Sequence, residues 1–179
     1  MSHYAEFLQG LLLAPRAVCA PTPSGPVLAA TMAAEVDLSR RGLVVELGPG
    51  SGTVTEALIE RGMPQSRLLA VECTPYFARL LQDRYSAARI IEGDAFEFER
   101  YLPGNAEVAA VICGVPLLNF PVEKRQALIT KSLQMCGRFI QLSYGWVPPI
   151  QPLPGMSLRK QIVWRNFPPA HVWTYTAQV

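Results

Sequence analysis

Leu43-Val44-Val45-Glu46-Leu47-Gly48-Pro49-Gly50-Ser51-Gly52-Thr53 is an apolar, β-prone run that breaks into three alternate glycines and then resumes with helix formers. The run predicts a buried strand over 43–47, and the segment from Thr53 predicts a helix over 53–62. A chain that passes from strand to helix in so few residues must turn sharply. Glycine reaches the necessary backbone angles and places no Cβ where a ligand would approach. A phosphate loop of the Walker kind is excluded, because no Gly-Lys-Ser or Gly-Lys-Thr follows. A dinucleotide fingerprint reads G-x-G-x-x-G, whereas here the third glycine comes one residue early and Glu46 stands two residues before the first.

Outward from this turn, short apolar runs alternate with helical ones, the pattern of a sheet with crossover helices. Strands are predicted at 67–72, 89–92, 108–112 and 137–143, helices at 75–84 and 122–134, and a short turn near 95–101. Thr74 and Pro75 read as a helix cap and first helical position. Beyond Gly145 a proline-rich loop leads to β-rich runs at 158–165 and 172–176, which read as an antiparallel pair closing the sheet. The expected fold is α/β: a doubly wound, mostly parallel seven-stranded sheet with an antiparallel C-terminal strand, in one domain spanning 1–179. Before it, Tyr4, Phe7, Leu8, Leu11 and Leu12 recur at helical spacing, and Ser24 is placed to cap a second helix running to about Glu35. The first 36 residues therefore read as a helical lead-in.

Composition narrows the functional classes. Half the residues are apolar and 17% are charged, which suits a sizeable core and not a disordered chain. The net charge of +2 is unevenly spread: residues 121–179 carry seven basic side chains against one acidic, while 42–120 carry six against ten. A basic C-terminal third suits a phosphate-bearing surface, or is simply a solvated face. The four cysteines and two histidines show no metal-ligand spacing, so no metal is expected. No apolar stretch reaches the ~20 residues of a membrane span, and no signal peptide is evident, so reduced thiols and a cytoplasmic location are expected.

Two further acids stand where strands are predicted to end. Glu72 closes the second strand, where a carboxylate accepts hydrogen bonds from ribose hydroxyls or caps the following helix. Glu92-Gly93-Asp94-Ala95-Phe96 follows the third. Ligands of open α/β sheets bind at the carboxyl ends of strands, and three such ends in order mark one site.

The Glu46-x-Gly48-x-Gly50-x-Gly52 order resembles the first motif of the class I S-adenosylmethionine-dependent methyltransferases. That resemblance implies S-adenosyl-L-methionine as cofactor, held by Glu46, Gly48, Pro49, Gly50, Gly52, Glu72, Cys73, Gly93, Asp94, Ala95 and Gly114, with Asp94 on the adenine amino group. A narrower group, the bacterial phospholipid N-methyltransferases, is similar over nearly the whole chain. The shared stretches include Phe7-Leu8, Pro23-Ser24-Gly25, the glycine loop, 92–96, Pro116-Leu117-Leu118-Asn119-Phe120-Pro121, Gln141-Leu142-Ser143-Tyr144-Gly145 and Trp173-Thr174-Tyr175. This resemblance implies methylation of the amine of phosphatidylethanolamine and its methylated forms, towards phosphatidylcholine, by an enzyme peripherally associated with the inner face of the cytoplasmic membrane. Asn119 and Tyr144 are the candidate catalytic residues; a turn residue before Pro121 and a buried aromatic are the structural readings of the same positions. Gly114-Val115 departs from the usual Ser-Leu or Ala-Leu, and the lead-in is shorter and less basic than in the family.

The ribosomal RNA adenine dimethyltransferases share the first motif, but their fourth motif pairs an Asn with an aromatic, and Gly114-Val115-Pro116-Leu117 carries neither. A nucleic acid partner is accordingly not expected. A soluble small-molecule methyltransferase remains an alternative. A binding module that has lost the chemistry is disfavoured by the intact set of glycines and acids.

Overall fold

The structure, a computed structural model, describes residues 25–166 and 168–178. The helix expected from Tyr4, Phe7, Leu8, Leu11 and Leu12 lies outside the described residues; the cap of the next helix, expected at Ser24, is Gly25, because Pro26 takes the first helical position. Seven strands form one sheet: β1 (Leu43–Leu47), β2 (Leu68–Glu72), β3 (Arg89–Glu92), β4 (Val108–Cys113), β5 (Arg138–Ser143), β6 (Met156–Val163) and β7 (Ala170–Ala177). Among the described residues four α-helices accompany them: α1 (Pro26–Ala34), α2 (Thr53–Glu60), α3 (Pro75–Arg84) and α4 (Val122–Cys136). Short 3-10 helices occupy Gln65–Arg67, Ala95–Tyr101 and Leu117–Asn119.

The strand order is β3-β2-β1-β4-β5-β7-β6, with β3 through β5 parallel. Order reverses between β1 and β4, so the loops after these two strands diverge and leave the crevice in which open α/β sheets bind ligands. Strands β2 and β4 are buried along their whole length, as central parallel strands covered on both faces must be. One face packs on α1, α2 and α3 through Leu28, Leu58 and Leu81; the other packs on Phe98 and on Leu128, Ile129 and Leu133 of α4.

Strand boundaries follow the hydrophobic runs closely, and the differences have local causes. Helix α2 stops at Glu60, not 62, because Gly62 adopts φ of 92°. Helix α4 continues to Cys136, where Gly137 in the left-handed region (φ 70°) ends it. The C-terminal pair does not simply append to the sheet edge. Strand β7 inserts between β5 and β6 and runs antiparallel to both.

A buried carboxylate fastens this insertion. Glu35, 4% exposed beyond the end of α1, accepts from Arg159 and from Gln161 and Thr174 at 2.8 Å each, while its carbonyl accepts from Arg138 at 2.7 Å. No helix among the described residues is long and apolar enough to cross a membrane.

Candidate active site

The carboxyl edge of the sheet carries every residue singled out for ligand binding. Between β1 and α2 the chain turns through Gly48 (φ 67°), Gly50 (φ 57°) and Gly52 (φ 85°), conformations that side chains with a Cβ rarely adopt. The three glycines serve different ends. A Cβ on Gly48 would meet Val115 Cγ2 at 2.9 Å, and one on Gly52 would meet Leu81 Cδ2 at 2.6 Å; a Cβ on Gly50 would meet nothing within 4 Å. Gly48 and Gly52 are therefore required by packing, and only Gly50 borders open space. The two candidate site glycines outside this loop, Gly93 and Gly114, are crowded like the first pair. A Cβ on Gly114 would strike the carbonyl of Gly48 at 2.6 Å, and one on Gly93 would strike the Tyr101 hydroxyl at 2.5 Å.

Glu72 is the hinge of the arrangement. It is 4% exposed, and its carboxylate accepts from the N–H of Gly50 at 2.9 Å and of Thr74 at 2.8 Å, with the Cys73 thiol 3.7 Å away. The carboxylate thus stitches the glycine loop to the turn entering α3. Thr74 occupies the cap position and Pro75 the first helical position, as expected, but the Thr74 side chain makes no capping bond. A carboxylate offers about four acceptor sites, so capacity is left for a ligand diol.

Glu46 lies deeper. It is 2% exposed, and Thr55 on α2 donates to it at 2.6 Å. Burial, reinforced by the neighbouring Glu72 charge and opposed by the Thr55 hydrogen bond, pushes its carboxyl from the ordinary 4.5 up to about 7. Its visible partner is the helix that leaves the loop, a contact its place in the motif did not disclose. Asp94, at the end of β3, is exposed; one of its oxygens accepts from the Phe96 N–H at 2.9 Å and starts the following 3-10 helix. Cys73 is exposed, Ala95 is buried, and Pro49 lies half-buried between the first two glycines.

These features fit S-adenosylmethionine. Open space borders the backbone at Gly50, a buried acid is fixed beside it, and a second, exposed acid stands at the next-but-one strand end. A ribose diol and an adenine amino group need such acceptors along one edge.

The candidate catalytic residues sit on the other flank. Asn119 is exposed on the 3-10 turn Leu117–Asn119, and Tyr144 follows β5, half-buried against the cluster that includes α1 and α2. Their segments touch, since a Cβ on Gly145 would lie 2.8 Å from Leu118 Cδ1. Sequence reasoning overlooked what holds this flank. Gln141, wholly buried, donates to the carbonyl of Val115 at 2.8 Å, and Trp173 Nε1 donates to Ser143 Oγ at 2.9 Å. Phe96 packs against Phe120 with ring centres 4.8 Å apart and planes inclined at 59°, and Lys124 Nζ lies 4.1 Å from the centre of the Phe96 ring, joining the Asp94 segment to the run 116–121.

No protein-family model matches the chain. Among curated proteins, the ornithine lipid N-methyltransferase of Singulisphaera acidiphila is 30% identical over 135 residues, covering 71% of this chain and 70% of that protein. The chain belongs to this lipid N-methyltransferase family. It is an S-adenosylmethionine-dependent methyltransferase, and S-adenosylmethionine is its cofactor. A shorter likeness links this chain to the probable ribosomal RNA small subunit methyltransferase A of Thermococcus onnurineus, 38% identical over 65 residues, 35% of this chain and 23% of that protein. Solved structures agree on the fold. TrmN from Thermus thermophilus superposes with a TM-score of 0.65 at 21% identity, covering 96% of this chain and 52% of that one. Magnesium protoporphyrin IX methyltransferase from Synechocystis PCC 6803, with bound S-adenosylmethionine, gives 0.57 at 18%, covering 84% and 76%.

Proposed function

We propose that this enzyme methylates the aliphatic amine of a membrane-lipid headgroup, with phosphatidylethanolamine and its methylated forms, towards phosphatidylcholine, as the substrates the sequence resemblance implies. The observation that carries the reading is the match to an ornithine lipid N-methyltransferase over most of both chains. Ornithine lipid and phosphatidylethanolamine share the decisive chemistry, a primary amine carried at a bilayer surface.

The cofactor supplies a methyl group already activated on a sulfonium, so the protein has mainly to orient an amine and exclude water. Glu72 and Asp94 would hold the nucleoside end, and Gly50 would let it approach the backbone. Asn119 and Tyr144 flank the amine, and its ammonium proton must leave before attack. The Asn119 carboxamide and the Tyr144 hydroxyl are too weakly basic to keep that proton; they accept hydrogen bonds from the amine while the proton passes to water, and the aromatic ring of Tyr144 attracts a methylated ammonium by about 0.5 to 2 kcal/mol.

An assay with radiolabelled cofactor against phosphatidylethanolamine vesicles, ornithine-lipid vesicles, ribosomal RNA and soluble ethanolamine phosphate tests the reading. Label is expected in lipid. Label in ribosomal RNA instead would favour the second reading, which rests on the shorter match to ribosomal RNA methyltransferases.

A further inference from the structure

Beyond β5 and at the β6–β7 turn the structure exposes a group of large apolar side chains. Trp146 is 64% exposed, Val147 60%, Trp164 66% and Ile162 36%. The two indoles are not scattered: their ring centres lie 6.4 Å apart, although 18 positions separate them in the chain. Register explains the meeting. Ser143 pairs with His171 and Val163 with Ala170, so the end of β5, the start of β7 and the end of β6 lie at one edge. It is the same carboxyl edge that carries Gly50, Glu72, Asp94 and Asn119.

Cations accompany the indoles. Lys160 Nζ lies 5.0 Å from the ring centres of both Trp146 and Trp173, and Arg165 directly follows Trp164 in the turn. Trp146 also packs edge-on against His171, at 4.8 Å.

Resting on the lipid reading above, we propose that Trp146, Val147 and Trp164, with Lys160 and Arg165, form the surface by which the enzyme seats on an anionic bilayer. Indoles suit that boundary because each has an apolar body and one N–H donor, and lysine stems reach along apolar surface while the ammonium stays in water. A second copy of the chain is a poor occupant, since residues 121–179 carry seven basic side chains against one acidic and like-charged faces repel. The placement also answers what the chemistry needs. An amine that never leaves the bilayer must be met at the edge where the methyl is presented, and this surface turns that edge toward the membrane.

The test is sedimentation of the full chain with vesicles of equimolar phosphatidylglycerol and phosphatidylethanolamine, together with methyl transfer to the same vesicles. W146S/W164S is expected to lower partitioning about tenfold or more, the factor available from withdrawing one aromatic side chain from an apolar phase. K160E/R165E is expected to lower it on these vesicles but not on vesicles of phosphatidylcholine alone. Circular dichroism and thermal unfolding establish that both variants fold. On detergent-dispersed lipid, where no bilayer has to be met, both variants should transfer methyl groups at the wild-type rate.

Wild-type partitioning by folded W146S/W164S would overturn the surface assignment. So would a solution dimer that this variant dissolves. The lipid reading fails separately: vesicle binding through the indoles with no label in any lipid amine would defeat that reading and leave the surface standing.

Discussion

At the scale of single residues, burial and backbone angle decide what each motif position does. Gly50 borders open space at φ of 57°, so G50V fills the space and strains the turn. Calorimetric titration should show S-adenosylmethionine binding lost in G50V, with stability reduced by only about 1 to 2 kcal/mol, the cost of one left-handed residue. Glu46 has a different kind of consequence. Its carboxyl keeps its proton up to about pH 7 in the folded protein, against 4.5 ordinarily. The folded state therefore binds more protons than the unfolded chain between these values, and the stability involved is complete below the lower and lost as pH rises through the higher. The loss is on the order of 3 kcal/mol. E46Q keeps an acceptor for Thr55 and has no proton to lose; thermal unfolding of the ligand-free protein should fall from pH 5 to 8 in the wild type and stay nearly level through E46Q.

Between elements, one carboxylate links three of them. Glu72 at the end of β2 accepts from the loop after β1 and from the turn entering α3, so its removal leaves two backbone N–H groups without their partner. E72A should weaken cofactor binding by about 1.5 to 3 kcal/mol and should also lower stability, whereas loss of a ligand contact alone would leave stability unchanged. Unchanged affinity in folded E72A would remove Glu72 from the site. On the other flank Gln141 of β5 ties down Val115 beyond β4. In Q141L that loop loses its tether, and methyl transfer should fall more than cofactor affinity, measured by rate and titration in parallel. Neither tie was visible beforehand, because Glu72 to Gly50 and Gln141 to Val115 span 22 and 26 positions through a side chain whose direction only the folded chain fixes.

For the whole molecule, the charge distribution bears on how the enzyme meets its substrate. Each cation near an anionic surface contributes about 1 kcal/mol, which fades within a Debye length of ~8 Å at physiological salt. Vesicle association is therefore expected to rise with anionic lipid content and fall as salt is raised, read by co-sedimentation. If the lead-in contributes as well, changing Phe7 and Leu11 to Ser should lower it further. The parallel half of the fold is legible in the chain alone, because the buried strands are continuous apolar runs and the glycine turn and helix signals are local; β1 and β3 fall where the hydrophobic runs placed them. The sequence also marked Glu72 and Gly50 as candidates, since a strand-terminal acid and an alternating glycine turn are patterns of neighbouring residues. The insertion of β7 between β5 and β6 emerges from packing, fastened by Glu35 from more than a hundred residues away. Packing likewise decided that Gly48, Gly52, Gly93 and Gly114 are glycine because protein atoms crowd them, and that Trp146 meets Trp164. These outcomes depend on which side chains converge in space, and convergence is a property of the packed sheet, not of any stretch of chain.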